Sequence, residues 1–105
     1  MPVRDALGAI SGKWKLPIII SVEAGNERFT DIQKSIPGIT PKVLAKELKE
    51  LERHRLVKRT VIDDYPVKIR YEKAAYADTL APVIRSLVEW GTNHRKALLG
   101  HENQA

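Results

Sequence analysis

The stretch that decides the fold is residues 40–54, which have the sequence TPKVLAKELKELERH. Thr40 followed by Pro41 is typical of a helix start, because threonine can cap the first turn and proline tolerates the next position. Leucines at positions 44, 48 and 51 repeat at the period of an α-helix. The pattern predicts an amphipathic helix from Pro41 to about His54, with its leucine face buried.

Four basic residues lie on the opposite face of this predicted helix. They are Lys42, Lys46, Lys49 and Arg53. At about 100° per residue they fall within about 60° of one another, and the three glutamates fall on the flanks. One interpretation is a surface that binds a polyanion. The alternative is an ordinary solvated helix with intrahelical ion pairs such as Lys46–Glu50.

The positive charge of the whole chain is concentrated around this helix. The 105 residues hold 18 Lys and Arg against 13 Asp and Glu, a formal net charge of +5. Counting from Arg28 to Lys73 gives 12 basic and 7 acidic residues, an excess of five, and the flanks hold six of each. A localised positive field attracts nucleic acid or another polyanion, although a solvated basic surface is the alternative.

Composition excludes several classes of protein. With no cysteine, the chain has no disulfide framework, thiol nucleophile, thiol redox sensor or Cys-type zinc site. The longest apolar run, residues 16–20, is too short to span a bilayer, and the start of the chain lacks the apolar core of a secretory signal. We therefore expect one cytoplasmic domain over residues 1–105 and no membrane partner.

Catalytic and metal chemistry find little support in the sequence. His54, His94 and His101 lack a spacing that brings two of them onto one helical turn. No P-loop, dinucleotide fingerprint or Ser/His/Asp order is present. We expect no enzyme activity, no cofactor and no metal.

Three shorter helices are predicted before residue 40. Val3, Leu7 and Ile10 mark the apolar side of an opening helix that ends at Ser11-Gly12. A second helix is predicted from about Lys13 to Val22, with Trp14, Ile18 and Ile19 inward. A third begins at residues 29–31, where Thr30 or Asp31 can cap it, and ends at Pro37-Gly38.

After residue 54 the apolar period changes to two. Strands are predicted over 57–62 and 67–71, joined by a turn at 63–66, with Lys68 and Arg70 on one face. A last helix follows, in which Leu80, Val83, Ile84 and Leu87 share a side. It begins near Pro82 or kinks there, and it weakens after Arg95. The predicted fold is mainly α with a small β-hairpin, in the order of a winged helix-turn-helix.

Several segments, taken in order, carry a family resemblance. They are Gly12-Lys13-Trp14-Lys15, Arg28-Phe29-Thr30-Asp31-Ile32, Ile36-Pro37-Gly38-Ile39-Thr40, Leu48-Lys49-Glu50-Leu51-Glu52, Leu80-Ala81-Pro82-Val83 and Trp90-Gly91. This order resembles the HxlR-type transcriptional regulators, which are relatives of the MarR-type winged-helix proteins. The resemblance extends over residues 2–95. It implies a homodimer that binds a pseudo-palindromic operator in a prokaryote.

Roles follow from how a winged helix docks on DNA. The recognition helix, residues 41–54, enters the major groove, and the wing, residues 57–73, reaches the flanking backbone or minor groove. We expect base contacts from Thr40, Pro41, Lys42 and Lys46. We expect backbone or wing contacts from Arg28, Thr30, Lys49, Arg53, Tyr65, Lys68 and Arg70. For Lys68 and Arg70 the alternative is hairpin solubility.

The ends of the chain are expected to form a dimer. Residues 12–73 make the DNA-binding core, and residues 1–11 and 75–99 supply dimerisation helices. The expected seam consists of Val3, Leu7, Ile10, Leu80, Val83, Ile84 and Leu87. The alternative is that these helices pack on each other within one chain.

Two further matters stay open at this point. The rival function is a winged-helix module that binds protein or RNA without sequence-specific DNA binding. Tyr65 is the one obvious free ring for stacking on RNA bases. Any small-molecule effector would act noncovalently or through groups other than thiols, and we expect it in the cleft between the recognition domain and the dimer helices.

Overall fold

The computed structural model describes residues 1–100, which form five α-helices and one antiparallel ribbon. The helices are α1 (Pro2–Ile10), α2 (Lys15–Glu23), α3 (Phe29–Ser35), α4 (Pro41–Arg53) and α5 (Ala81–Leu99). The ribbon consists of β1 (Val57–Ile62) and β2 (Lys68–Lys73), and a short 3-10 helix (Ala75–Leu80) leads into α5. These elements confirm the prediction of a mainly α fold with a small β-hairpin.

The core forms where α2, α3 and α4 meet. Leu44, Leu48 and Leu51 of α4 are at most 1% exposed, as their period predicts. Ile18 of α2 and Ile32 of α3 are fully buried beside them. Burying three leucines fixes which side of α4 faces inward, and the opposite side is left to solvent.

The start of α4 has the predicted cap. The side-chain oxygen of Thr40 accepts a hydrogen bond from the backbone N–H of Val43 at 3.2 Å. Its carbonyl accepts the first intrahelical bond, from the N–H of Leu44 at 2.9 Å. Pro41 occupies the first turn, where its missing N–H costs no hydrogen bond.

The start of α3 differs from the prediction. Arg28 is the N-cap residue and no side chain caps the helix, so the expectation that Thr30 or Asp31 does so is wrong. Phe29 packs against the core. The N-cap lies two or three residues before the expected caps, so both polar residues lie inside the first turn. An acidic Asp31 in that turn still interacts favourably with the helix dipole.

The ribbon is longer at its base than the sequence pattern indicates. Its register pairs Val57 with Lys73 and Ile62 with Lys68, so β2 begins one residue later and ends two residues later than predicted. The extra pairs are possible because the ribbon is fixed at its base. There the N–H of Tyr71 donates to the carbonyl of Glu27 at 2.8 Å.

The last helix begins rather than kinks at its proline. Pro82 lies in the first turn of α5, which follows the 3-10 helix directly. The helix continues to Leu99, past Arg95, where a weakening was predicted. The predicted tail residue His101 lies outside the described residues.

Candidate nucleic-acid interface

The outer face of α4 is basic and open. Lys42, Lys46, Lys49 and Arg53 are all exposed or half-exposed, on the side opposite the buried leucines. Thr40 and Pro41 are also exposed at the start of the helix. The helix therefore presents four cations along one side, with its amino-terminal turn free to enter a groove.

The acidic residues on one flank of α4 are held by a lysine from α2. The ammonium of Lys15 lies 2.8 Å from a carboxylate oxygen of Glu47 and 2.7 Å from one of Glu50. The Lys15 side chain is only 11% exposed. Within residues 1–100, Glu50 pairs with Lys15 and not with Lys46, the intrahelical partner that the alternative interpretation expected.

This cluster shifts the pKa of both kinds of group. The hydrogen bonds that Lys15 donates to Glu47 and then Glu50 raise the pKa of its ammonium, although burial opposes the change. The hydrogen bond from Lys15 lowers the pKa of Glu50, and the charges of Lys46 and Arg53 lower it further. Lys15 and Glu50 are therefore held in their charged forms around neutral pH.

The wing cations have acidic neighbours of their own. The guanidinium Nε of Arg70 lies 3.1 Å from a carboxylate oxygen of Glu72, and the ammonium of Lys68 lies 3.9 Å from one of Asp64. These pairs are solvent-exposed, and such pairs contribute little to stability. A phosphate can therefore replace the carboxylate at modest cost, so both cations remain available.

The other nominated contacts are exposed to solvent. Arg28 and Thr30 are exposed at the start of α3. Tyr65 is 99% exposed at the tip of the ribbon. These residues, like the cations of α4 and the wing, lie within residues 12–73 and outside the terminal helices α1 and α5.

Sequence reasoning missed Arg59. Its cross-strand partner is Tyr71, so it lies on the ribbon face opposite that of Lys68 and Arg70. A groove of about 370 Å³ between α4 and the ribbon is lined by Arg59, Lys49 and Tyr71, among others. The alternation along β1 already separates Arg59 from Lys58, but the sequence does not reveal that its face turns toward α4.

The terminal helices expose apolar side chains. Val3 and Leu7 of α1 are 61% and 53% exposed, and Val83 and Leu87 of α5 are 43% and 46% exposed. Leu80 and Ile84 are half-buried. Ile10, nominated for the same seam, is 7% exposed and belongs to the core of its own chain, so it offers little to a partner.

The sequence did not single out how far the apolar side of α5 extends. Trp90 is 66% exposed and stacks on His94, with ring centroids 4.6 Å apart. Their positions continue the line of Val83 and Leu87 at helical spacing, and Leu98, 67% exposed, lies further along it. We call Val83, Leu87, Trp90, His94 and Leu98 the α5 stripe.

A second groove, of about 330 Å³, lies where α1, the end of α4 and the beginning of α5 approach one another. Ala9, His54, Tyr76 and Leu80 are among its lining residues. This is the cleft in which an effector was expected. Across residues 1–100, no three His, Asp or Glu side chains gather as metal ligands, and none of the helices is long and apolar enough to cross a membrane.

Comparisons with known proteins agree with this geometry. The family model described as HxlR-like helix-turn-helix matches residues 9–98. The chain is 34% identical over 98 residues to YtcD of Bacillus subtilis strain 168, an uncharacterized HTH-type transcriptional regulator; the match covers 93% of this chain and 78% of YtcD. YybR of the same strain, 34% identical over 97 residues with 92% of this chain and 78% of YybR covered, is also described as an HTH-type transcriptional regulator.

Solved structures of regulators have the same winged fold. The structure of ytcD superposes with a TM-score of 0.86 at 33% identity, covering 91% of this chain and 98% of ytcD. The redox regulator HypR in its reduced form superposes with a TM-score of 0.86 at 33% identity, covering 95% of this chain and 99% of HypR. A MarR-family regulator from Enterococcus faecalis V583 superposes with a TM-score of 0.82 at 28% identity, covering 93% of this chain and 89% of that regulator. With its family model, relatives and winged fold in agreement, the chain belongs to the HxlR-like helix-turn-helix family of transcriptional regulators, whose helix-turn-helix implies DNA binding.

Proposed function

We propose that this regulator acts as a homodimer on a pseudo-palindromic operator, with α4 in the major groove and the ribbon on the flanking backbone or minor groove. The observation that carries the proposal is the outer face of α4. Its four cations lie opposite three buried leucines, and two of its three glutamates are paired with Lys15 of α2. The major groove is wide enough to admit such a helix.

Base contacts are assigned to the amino-terminal end of α4, which reaches deepest into the groove. Lys42 and Lys46 can donate to guanine, while Thr40 and Pro41 can contact a base edge or a thymine methyl. Backbone contacts are assigned to the surrounding cations and hydroxyls. They comprise Arg28, Thr30, Lys49, Arg53, Tyr65, Lys68 and Arg70, to which the groove beside α4 adds Arg59.

The second subunit is assigned to the exposed apolar sides of α1 and α5. A stripe that runs over several turns of α5 without cover in one chain needs an apolar partner, and a second copy supplies an identical stripe. Packing within one chain was the alternative, but it leaves Val3, Leu7 and Leu87 about half exposed. Sedimentation tests this part: a monomer at micromolar concentration would reject the dimer.

The function is tested by titrating the protein with the DNA upstream of its own gene, against a scrambled duplex of equal length, at two salt concentrations. We expect a preference of about 10³ or more for the upstream DNA and a steep salt dependence. Equal affinity for both duplexes would reject sequence-specific regulation at that site and favour the rival binding module. Absence of binding at either salt would reject DNA as the partner under those conditions.

The division of roles along α4 has its own test. Lys49→Ala should weaken binding to all sequences alike and reduce the salt dependence, because Lys49 is assigned to phosphate. Lys46→Ala should also reduce the preference for operator over random DNA. Equal effects of the two substitutions on that preference would contradict the assignment.

An effector, where the protein uses one, is assigned to the groove of about 330 Å³ beside Tyr76 and His54. Its volume lies at the lower end of the range for small-ligand sites. The groove is lined by His54, the residue after α4, and by Val83 of α5, so a ligand there contacts the DNA-binding and the proposed dimerising parts of the chain. Because the 105 residues include no cysteine, a ligand in this groove cannot form a covalent bond to a thiol of the chain.

A further inference from the structure

Lys15 occupies a position that disfavours a cation for two reasons. It is the first residue of α2, where the helix dipole favours negative charge, and its side chain is only 11% exposed. Burial of a charge is costly unless the charge is paired. The two carboxylates of Glu47 and Glu50, at 2.8 and 2.7 Å, offset both costs. The placement of Lys15 is therefore explained by what it does to α4.

Glu50 has two other cations within reach on its own helix. Lys46 lies four residues before it and Arg53 three residues after it, and both spacings bring side chains together on a helix. Lys46 and Arg53 already act electrostatically on the Glu50 carboxylate. Without Lys15, the carboxylate would turn toward them, because its side chain is 35% exposed and has room to move.

We propose that Lys15 is a positioning residue that binds Glu50 and thereby keeps Lys46 and Arg53 free for DNA. The inference rests on the proposed function, in which Lys46 contacts a base and Arg53 a phosphate. It adds a residue on α2, outside the binding face, that sets how many cations α4 offers to DNA.

A purely structural role for Lys15 is the competing explanation. Glu47 and Glu50 are three residues apart, so one ammonium that contacts both also fixes the rotation of α4 against α2. Removal of that anchor would lower stability and could weaken DNA binding while the same number of phosphates is neutralised. The salt dependence of binding separates the two roles, because its slope is set by the number of phosphates that protein cations neutralise.

The experiment uses full-length protein in a Glu47→Gln background, which avoids leaving the more buried carboxylate unpaired. Glu47→Gln, Lys15→Gln/Glu47→Gln and Lys15→Gln/Glu47→Gln/Glu50→Gln are compared on labelled upstream and scrambled duplexes over a range of salt. Thermal unfolding of each variant is measured in parallel. For each cation that Glu50 withdraws from DNA, the double variant should bind about fivefold more weakly at about 0.15 M salt. The slope of log binding constant against log salt concentration should also be smaller in magnitude by about 0.9. The triple variant should regain the slope of Glu47→Gln, even if its melting temperature stays low.

Two matched controls exclude a general charge effect. Lys13→Gln in the Glu47→Gln background removes one exposed cation two residues from Lys15, and it should leave the slope unchanged. Glu23→Gln, added to the double variant in place of Glu50→Gln, restores the same net charge at the other end of α2. Glu23 lies 3.7 Å from the ammonium of Lys73, which stays paired with Asp78 at 2.6 Å when Glu23 is replaced. It should not restore the slope.

The inference is overturned if the double variant keeps the slope of Glu47→Gln, or if Glu23→Gln restores it as well as Glu50→Gln does. Should the double variant unfold, the triple variant decides, since it lacks both the anchor and the competing carboxylate. It must then match the slope of Glu47→Gln, and a smaller slope would overturn the proposal. Failure of unsubstituted protein to bind either duplex would instead count against the proposed function.

Discussion

Thr40 is expected to act both in folding and in DNA binding, and substitutions can separate these roles. Its side-chain oxygen caps α4 through a 3.2 Å hydrogen bond to the N–H of Val43. Thr40→Ala removes that acceptor and leaves the N–H to solvent. Loss of an N-cap side chain costs about 0.5–2 kcal/mol, and the long, exposed bond here favours about 1 kcal/mol. For a domain of this size, that corresponds to a melting temperature lower by about 4–8 °C.

The assay is thermal unfolding by circular dichroism, combined with DNA titration at the same protein concentration, because the stability of the proposed dimer would depend on concentration. Thr40→Ser keeps the capping oxygen, so its melting temperature should fall by no more than about a third of the decrease expected for Thr40→Ala. Thr40→Asp caps equally well and favours the helix dipole, so it should melt no lower than the unsubstituted protein. In the proposed complex its negative charge would face the DNA, however, and binding should fall at every salt concentration.

The reasoning would be refuted by an alanine variant that melts with the unsubstituted protein, or by a serine variant that loses as much stability as alanine. An aspartate variant that binds DNA normally would remove position 40 from the proposed interface. Its capping role would stand in that case, because the thermal data test it independently.

Three further predictions concern the core, the dimer and pH. Leu48→Ala should cost about 2–5 kcal/mol in the free energy of unfolding measured with urea, because Leu48 is 1% exposed and its loss leaves a cavity; a cost below about 1 kcal/mol would contradict this packing. Leu87→Glu, near the centre of the α5 stripe, should sediment as a monomer while retaining its helical spectrum, and a persistent dimer would move the seam elsewhere. The pKa of Glu50 is lowered on folding, so its contribution to stability is present above its unfolded pKa of about 4.3 and is lost as pH falls. Urea midpoints should therefore differ between Glu50→Gln and unsubstituted protein at neutral pH and converge in acid. The Lys15 pKa is raised, so its contribution is lost only as pH rises through that raised folded-state pKa.

The parts of the fold that the sequence predicted well are those with local causes. Thr40-Pro41 sets the start of α4 through a cap within three residues, and the leucine period sets its buried side. Pro82 likewise begins α5, because proline is tolerated only in a first turn. Such features need no knowledge of what lies across the core.

The features that escaped prediction depend on distant residues. Lys15 meets Glu47 across 32 positions of sequence, and no local period relates them. The start of α3 lies where Phe29 packs against the core rather than at the polar residues beside it. The direction in which Arg59 faces depends on how the ribbon rests on α4, so the candidate interface was predicted in its helix but only partly in its wing.

The exposure of α5 has a consequence for how the regulator would respond inside a cell. None of its 19 residues is buried in a single chain. Ile84 packs against the core, but most of the helix is exposed to solvent. A helix with so little tertiary packing is only marginally stable in water, so a lone chain would hold α5 weakly, and pairing would order it. While most chains are monomers, the dimer concentration grows with the square of the chain concentration, so doubling expression gives about four times as much dimer. Operator occupancy would then behave as a threshold in expression level, and modest changes in synthesis or degradation of the chain could switch its target genes.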